Sequence, residues 1–258
     1  MTLPVPDIAL RICVVVPARD EEDLIVGCLR ALAMQERISP GEYEVLLVLD
    51  RCDDDTEARA REFARQNPSL RLHFLDGPGE GSGHARRVGM DAAGERLLGL
   101  GRPDGLIAST DADTVVAPDW LAAQLEAASR GSRAIGGRIQ LLDDGTLPED
   151  IIRWHSERGR RRREKLLALP DNTGTTEHWQ FSGASMSLTA ETYQEVGGLE
   201  PVTALEDEAL EGVLRRRGIP IDRLISVKVT TSARLVGRAE RGLAHDLAEV
   251  AAKLGTGN

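Results

Sequence analysis

The stretch Leu106-Ile107-Ala108-Ser109-Thr110-Asp111-Ala112-Asp113 is an apolar run that ends on two carboxylates one residue apart. It reads as a buried strand emerging at the edge of a sheet, with the acids at its mouth. Residues two apart on an extended chain point the same way, so Asp111 and Asp113 can face one hard cation together. Small Ala112 lets a ligand approach the backbone. Such a pair suits Mg²⁺ or Mn²⁺ shared with the phosphates of a nucleotide. An Asp-rich turn after a strand has the same appearance, so the rest of the chain has to decide between the two.

Upstream, Ile12-Cys13-Val14-Val15-Val16 is a continuous, mostly β-branched run closed by Pro17, the pattern of a strand buried on both faces. After Ala18-Arg19-Asp20-Glu21-Glu22, the apolar residues Leu24, Ile25, Cys28, Leu29 and Leu32 recur at helical spacing, with the acids expected in the first turn, where the dipole favours them. Val45-Leu46-Leu47-Val48-Leu49 repeats the strand pattern up to Asp50, and Asp53-Asp54-Asp55-Thr56 starts another helix. Strand and helix alternate, and right-handed crossovers then build a parallel sheet. A third strand is expected from Leu70 to Leu75, then the flexible loop Gly77-Pro78-Gly79-Glu80-Gly81-Ser82-Gly83 and a helix from His84 to Ala93. A dinucleotide fingerprint should follow the first strand, where this chain has Pro17-Ala18-Arg19 and no glycine. Arg86 and Arg87 open that helix, either reaching phosphates or solvated.

Downstream, Pro118 precedes an amphipathic helix with Trp120, Leu121 and Leu125, and Arg133 to Leu142 reads as a strand bent at Gly136-Gly137. Glu149 to Leu169 is helical and basic, with six Arg or Lys among the eight residues from Arg158 to Lys165. Such a run is either a solvated face or a surface for an anionic acceptor or membrane. Asp171 to Thr176 has the look of a mobile lid. Phe181 to Leu188 suits a strand lining a cleft. Next come a helix ended by Gly197-Gly198, the loop Leu199 to Leu205, and a helix opened by Glu206-Asp207 and closed by Gly218. A last strand lies near Ile225 to Thr231, before a C-terminal amphipathic helix; between them Ser232-Ala233-Arg234 and Gly237-Arg238 either bind acceptor or close the site, or form a structural turn.

The chain has 258 residues, 41% of them hydrophobic, enough to bury a proper core. A net charge of −10 argues against nucleic acid or an anionic membrane as the main partner. Every apolar run is far shorter than the roughly 20 residues that span a bilayer, which leaves room for peripheral membrane contact only. Cys13, Cys28 and Cys52 show no metal spacing, and their odd number without a secretory signal points to reduced thiols and a cytoplasmic protein.

Several motifs in order, Val15 to Glu22, Val48-Leu49-Asp50 with Asp54-Asp55-Thr56, Ala85 to Gly89, Asp111-Ala112-Asp113, and Gly183 through Gly197-Gly198-Leu199 to Glu206-Asp207, resemble glycosyltransferase family two. The resemblance runs from about Ile12 to about Gly218. It implies an α/β GT-A fold, a mainly parallel central sheet flanked by helices, in one domain. The nucleotide-binding half would be about 8–115, the acceptor-binding half about 116–232, and a C-terminal helix 239–254. It implies that Pro17, Ala18, Arg19 and Glu21 line the base and ribose pocket, and that Asp50 accepts from the base N–H, as in uracil recognition. Arg86 would lie near the diphosphate, with Asp111 and Ala112 beside the ribose or metal and Asp113 holding Mn²⁺ or Mg²⁺. Gly183, Ala184 and Glu206 would meet the acceptor, and Asp207 would be the general base. The implied reaction moves one sugar from a nucleoside diphosphate sugar, a UDP-sugar by preference, to an acceptor hydroxyl with inversion. A dication and an arginine suit the charge that develops on the leaving diphosphate, and one carboxylate must take the proton of the attacking hydroxyl.

The pattern departs from the family at Arg87, where asparagine is usual. The Gln-x-x-Arg-Trp motif of processive synthases is absent after Glu206-Asp207, which favours transfer of a single sugar. His245 is either a third metal ligand or a surface residue on a helix. Three rivals stand beside this reading. A retaining transferase resembling the glucosyl-3-phosphoglycerate synthases would use the basic helix around Arg160 to Arg163 for a phosphorylated acceptor. A sugar nucleotidyltransferase should carry a Gly-rich, lysine-bearing loop after the first strand. A non-catalytic sugar-nucleotide-binding module would have no need of Asp207.

Overall fold

In the computed structural model, which describes residues 3–142, 148–200, 202, 205–234, 247, 249, 250 and 252, the first apolar run is strand β1 (Ile12–Ala18), buried throughout. Its side chains alternate between two cores. Ile12, Val14, Val16 and Ala18 share one with Ile25, Cys28, Leu29 and Leu32 of helix α1 (Ile25–Ala33). The next strand, β2 (Tyr43–Leu49), also sends Val45, Leu47 and Leu49 to that side. Beyond helix α2 (Thr56–Gln66) and strand β3 (Leu72–Asp76), helix α3 (Ser82–Gly99) covers the opposite face. There Ala85, Met90, Ala93 and Leu97 share a core with Cys13, Val15, Leu46 and Val48. Helices on both faces explain why these strands show no polar alternation.

Strand β4 (Leu106–Ser109) then returns to the free side of β1, giving the parallel order β3-β2-β1-β4. The sheet grows outward from β1 to β3 and then reverses, and that reversal opens a crevice at the C-terminal ends of β1 and β4. The remaining elements are β5 (Thr114–Val116), α4 (Trp120–Ser129), β6 (Ala134–Leu141), α5 (Glu149–Leu167), β7 (Met186–Thr189), α6 (Ala190–Val196), α7 (Glu206–Arg216) and β8 (Asp222–Thr231). They extend the sheet as β4-β7-β6-β8-β5, with β7 antiparallel to both neighbours, β5 antiparallel to β8, and β6 parallel to β8. The register of β6 against β8 shifts between Gly137 and Arg138, where the sequence predicts a bend.

Several local expectations change. Asp20, Glu21 and Glu22 precede α1 instead of filling its first turn, because the Glu21 carbonyl accepts from the N–H groups of Leu24 and Ile25 while its own N–H donates to Thr56 Oγ1 at 2.7 Å. The strand expected from Phe181 begins only at Met186, since Ser182 and Ser185 close a turn around Gly183-Ala184. The supposed lid is tied to β8: Thr175 N–H donates to Asp222 Oδ1 at 2.8 Å, and Thr176 bridges Arg223. Gly237, Arg238 and His245, and most of the helix expected over 239–254, lie outside the described residues. Among the described residues no helix is long and apolar enough to cross a membrane, and all three cysteines are unpaired.

Glu44 interrupts the apolar run of β2 and is buried. Arg96 of α3 forks onto it, Nη2 lying 2.7 Å from Oε2, and His73 Nε2 lies 3.3 Å from the same oxygen. Burial alone would raise this carboxyl, but the bonds from Arg96 and His73 outweigh it and hold Glu44 down at about 2. A carboxyl depressed in the folded state adds stability above its unfolded value of 4.5 and loses it as pH falls toward 2. Glu44→Gln should therefore flatten the decline of urea-unfolding stability across that window. Arg96→Ala, which strands a buried charge, should cost about 3–5 kcal/mol at neutral pH. An unchanged unfolding midpoint in Arg96→Ala would contradict this account of the pair.

Candidate active site

Asp111 and Asp113 sit on the turn from β4 to β5, where the Thr114 N–H donates to the Asp111 carbonyl at 3.1 Å. They are brought together by that turn and not by the alternation of an extended strand. Each carboxylate meets an arginine from a distant segment. Arg86 Nη2 of α3 lies 2.8 Å from Asp111 Oδ1, and Arg234 Nη2 lies 2.9 Å from Asp113 Oδ2. Arg86 is almost fully buried, and it also donates from Nε to Glu206 Oε1 at 2.9 Å and from Nη1 to Ser109 Oγ and the Gly183 carbonyl. Burial works against its charge, but Asp111 and Glu206 outweigh that cost and raise its basicity. A Cβ at position 183 would lie 2.4 Å from Arg86 Nη2, so the guanidinium packs where only glycine leaves room. The arginine expected to reach for a diphosphate is thus committed to two carboxylates. Glu206, expected at the acceptor, is turned instead to Arg86.

Arg234 forks onto both oxygens of Glu21 and touches Asp113 at the same time. Asp113 is nonetheless pushed up to about 6, by burial first and then by the Asp111 carboxylate, with Arg234 pulling the other way. The available donors are carboxylate oxygens, the ligands that hard dications take. No group of three or more metal-ligating side chains forms a cage among the described residues. One or two carboxylates with phosphates and waters completing the shell is how Mg²⁺ is usually held beside a nucleotide.

Asp50 follows β2 and is buried, its carboxylate accepting from the N–H groups of Gly79 and, at 3.1 Å, Gly81. The glycine loop, expected to be flexible, is pinned by that residue. Asp207 sits half-buried in the first turn of α7, where it accepts from the Gly183 N–H at 3.2 Å and the Glu208 N–H at 2.8 Å. Every described residue assigned above to donor, metal, acceptor or base lines one crevice of about 1360 Å³, with Arg19 at its exposed edge. Arg234 lines it too, but no spacing in the sequence distinguishes that arginine from a turn residue.

The sequence model of glycosyl transferase family 2 matches residues 13–187. No curated protein matches the sequence. Among solved structures the chain is similar to the mannosyltransferase PcManGT from Pyrobaculum calidifontis in complex with GDP-Man and Mn²⁺, with TM-score 0.64 and 18% identity over 92% of this chain and 60% of that one. It is also similar to S. aureus TarS 1–349 in complex with UDP, with TM-score 0.61 and 16% identity over 96% of this chain and 72% of that one. TarS 1–349 in complex with UDP-GlcNAc gives TM-score 0.61 and 16% identity, over 96% and 74%. The chain spans about three fifths of the mannosyltransferase's length.

Because Glu206 is buried, Arg86→Ala should destabilise the fold by about 3–5 kcal/mol in urea unfolding. Arg86→Lys should recover only part of this, since a point charge cannot span Glu206, Asp111 and Ser109 as a planar fork does. Full recovery in the lysine variant would contradict that role.

Proposed function

The chain belongs to glycosyl transferase family 2 and has the GT-A fold, and from that premise we propose that it moves a single sugar from a nucleoside diphosphate sugar to an acceptor hydroxyl with inversion. The observation that carries this reading is the meeting of the Asp111–Asp113 turn, Arg86 and Asp207 in one crevice at the switch point of the sheet. Residues of about 8–115 form the donor half and about 116–232 the acceptor half of a single domain. The bound donors of the similar structures, GDP-Man in one and UDP-GlcNAc in the other, support a nucleoside diphosphate sugar as the class. We take uridine as the base, on the place of Asp50 in the crevice beside Pro17, Ala18 and Arg19. The reaction belongs in the cytoplasm, where three unpaired thiols persist.

Asp113, with Asp111, would hold Mn²⁺ or Mg²⁺, and the Mn²⁺ of the mannosyltransferase complex supports that choice. When bound, the dication neutralises the charge that builds on the departing diphosphate. Arg86 fixes Asp111 from beneath and adds positive potential to the crevice floor. Asp207 takes the acceptor hydroxyl's proton on a carboxylate oxygen. The N–H groups of Gly183 and Glu208 orient it.

Asp207→Asn keeps the shape and one of these two backbone bonds, the amide nitrogen being unable to accept the other, while removing the base. UDP release from a UDP-sugar in the presence of acceptor should fall by about 10²-fold or more, while UDP affinity measured with Mn²⁺ stays close to wild type. Equal losses of turnover and affinity would refute the assignment, as would a product that retains the donor's anomeric configuration.

A further inference from the structure

The crevice, at about 1360 Å³, exceeds the roughly 300–1,000 Å³ of an ordinary ligand pocket, and its outer wall is helix α5. His155, Arg158, Arg162 and Lys165 follow one another at intervals of three and four residues, on one side of that helix, and all line the crevice. The acids of α5 lie elsewhere. Asp150 pairs with Arg153, Glu157 with Arg161 and Glu164 with Arg160, so none of these acids belongs to the inward stripe.

The stripe is also built against an aromatic floor. The Arg162 guanidinium lies 4.4 Å over the Trp179 ring, and a side chain at Gly159 would come within 2.8 Å of Trp179 Nε1, so glycine lets the helix lean on the indole. His155 Nδ1 is enclosed and has no hydrogen-bond partner among the described residues. Burial, and then the charges of Arg158, Arg138 and Arg162, hold the His155 ring below the usual histidine range, which registers the positive field there. On the facing helix α7, Glu208, Glu211 and Arg215 also line the crevice; Glu211 is bonded to Arg223 at 2.8 Å, and Arg215 lies 3.9 Å from Asp171.

We propose that the α5 stripe is the subsite for a phosphate carried by the acceptor, with Arg158, Arg162 and Lys165 supplying its charge, His155 a hydrogen bond and Trp179 an apolar surface for the acceptor's body. Guanidinium forks match phosphate oxygens, and the partly enclosed wall strengthens each bond. The assignment rests on the transferase reading for its geometry: the acceptor's hydroxyl reaches Asp207 while its phosphate rests on α5. The phosphate belongs either to a soluble polyol or sugar phosphate or to a lipid headgroup.

Calorimetric titration of the full chain, with UDP and Mn²⁺ filling the donor site, tests this with glycerol 3-phosphate as the probe and glycerol as the neutral control. Vesicles of phosphatidylcholine with and without phosphatidic acid form the lipid arm. Wild type should bind the phosphate ester and not glycerol, and Arg158→Gln with Arg162→Gln should weaken this about tenfold or more. Arg160→Gln with Arg161→Gln, the same charge loss on the outer face, should leave it within about twofold. UDP affinity and melting temperature should be the same in both double variants. Binding to phosphatidic acid vesicles alone, with the same dependence on Arg158 and Arg162, assigns the phosphate to a lipid headgroup. No binding in either arm, or equal losses in the two double variants, would overturn the subsite. A wild type that binds the phosphate ester but not UDP would instead overturn the donor reading.

Discussion

The buried guanidinium of Arg86 is the constraint on which the site depends. Its bonds reach Ser109, Asp111, Gly183 and Glu206, residues 23 to 120 positions away along the chain. A cation taken out of water is tolerated only when its donors are met, and here β4, the turn before β7 and the start of α7 each meet one. Two parts of the crevice inherit their placement from it. Asp111 is held directly. Asp207 is held through its neighbour Glu206 and through Gly183, whose N–H it accepts and whose carbonyl Arg86 binds. In the proposed reaction, the distance between the dication's ligand Asp111 and the proton acceptor Asp207 would therefore be set by one side chain outside the reaction itself.

Around that cation the charges are left unbalanced. Glu21, Asp111, Asp113, Glu206 and Asp207 converge on the part of the crevice held by Arg86 and Arg234, and burial first, then the Asp111 carboxylate, raises the basicity of Asp113. Folding alone would favour neutral or fully paired residues there. An excess of carboxylate at the open end of a parallel sheet would serve the proposed binding of a cation, and the rest of the fold would carry its cost. The two doubly covered cores around β1 and β2 supply that stability.

Much of this was legible because buried parallel strands are written as unbroken β-branched runs. Ile12 to Val16 and Val45 to Leu49 announce themselves, and the residues just beyond them, Arg19, Asp50 and Asp111 to Asp113, are by topology at the crevice. Features set by tertiary contact were harder to read. Three residues of β5 are too few to show a period. Asp20 to Glu22 look like helix-start acids until Thr56 is seen to hold the Glu21 backbone outside α1. Phe181 to Ser185 alternate like a strand, yet Gly183 is there to clear the Arg86 guanidinium, a need that no local pattern encodes. Arg234 and the inward face of α5 depend on which way a helix or tail is turned, and composition is the same either way.

The Asp111–Asp113 turn is proposed to hold a dication shared with a nucleoside diphosphate. The most direct measurement is the melting temperature of wild type and Asp113→Ala with UDP, GDP, ADP, TDP or CDP, each with and without Mn²⁺. Saturation at a hundredfold excess over Kd adds about 2.7 kcal/mol, a clear rise in melting temperature. The account predicts that one nucleoside diphosphate stabilises the wild type only when Mn²⁺ is present, and that Asp113→Ala abolishes the effect. Stabilisation of equal size without metal, or undiminished in Asp113→Ala, would contradict it.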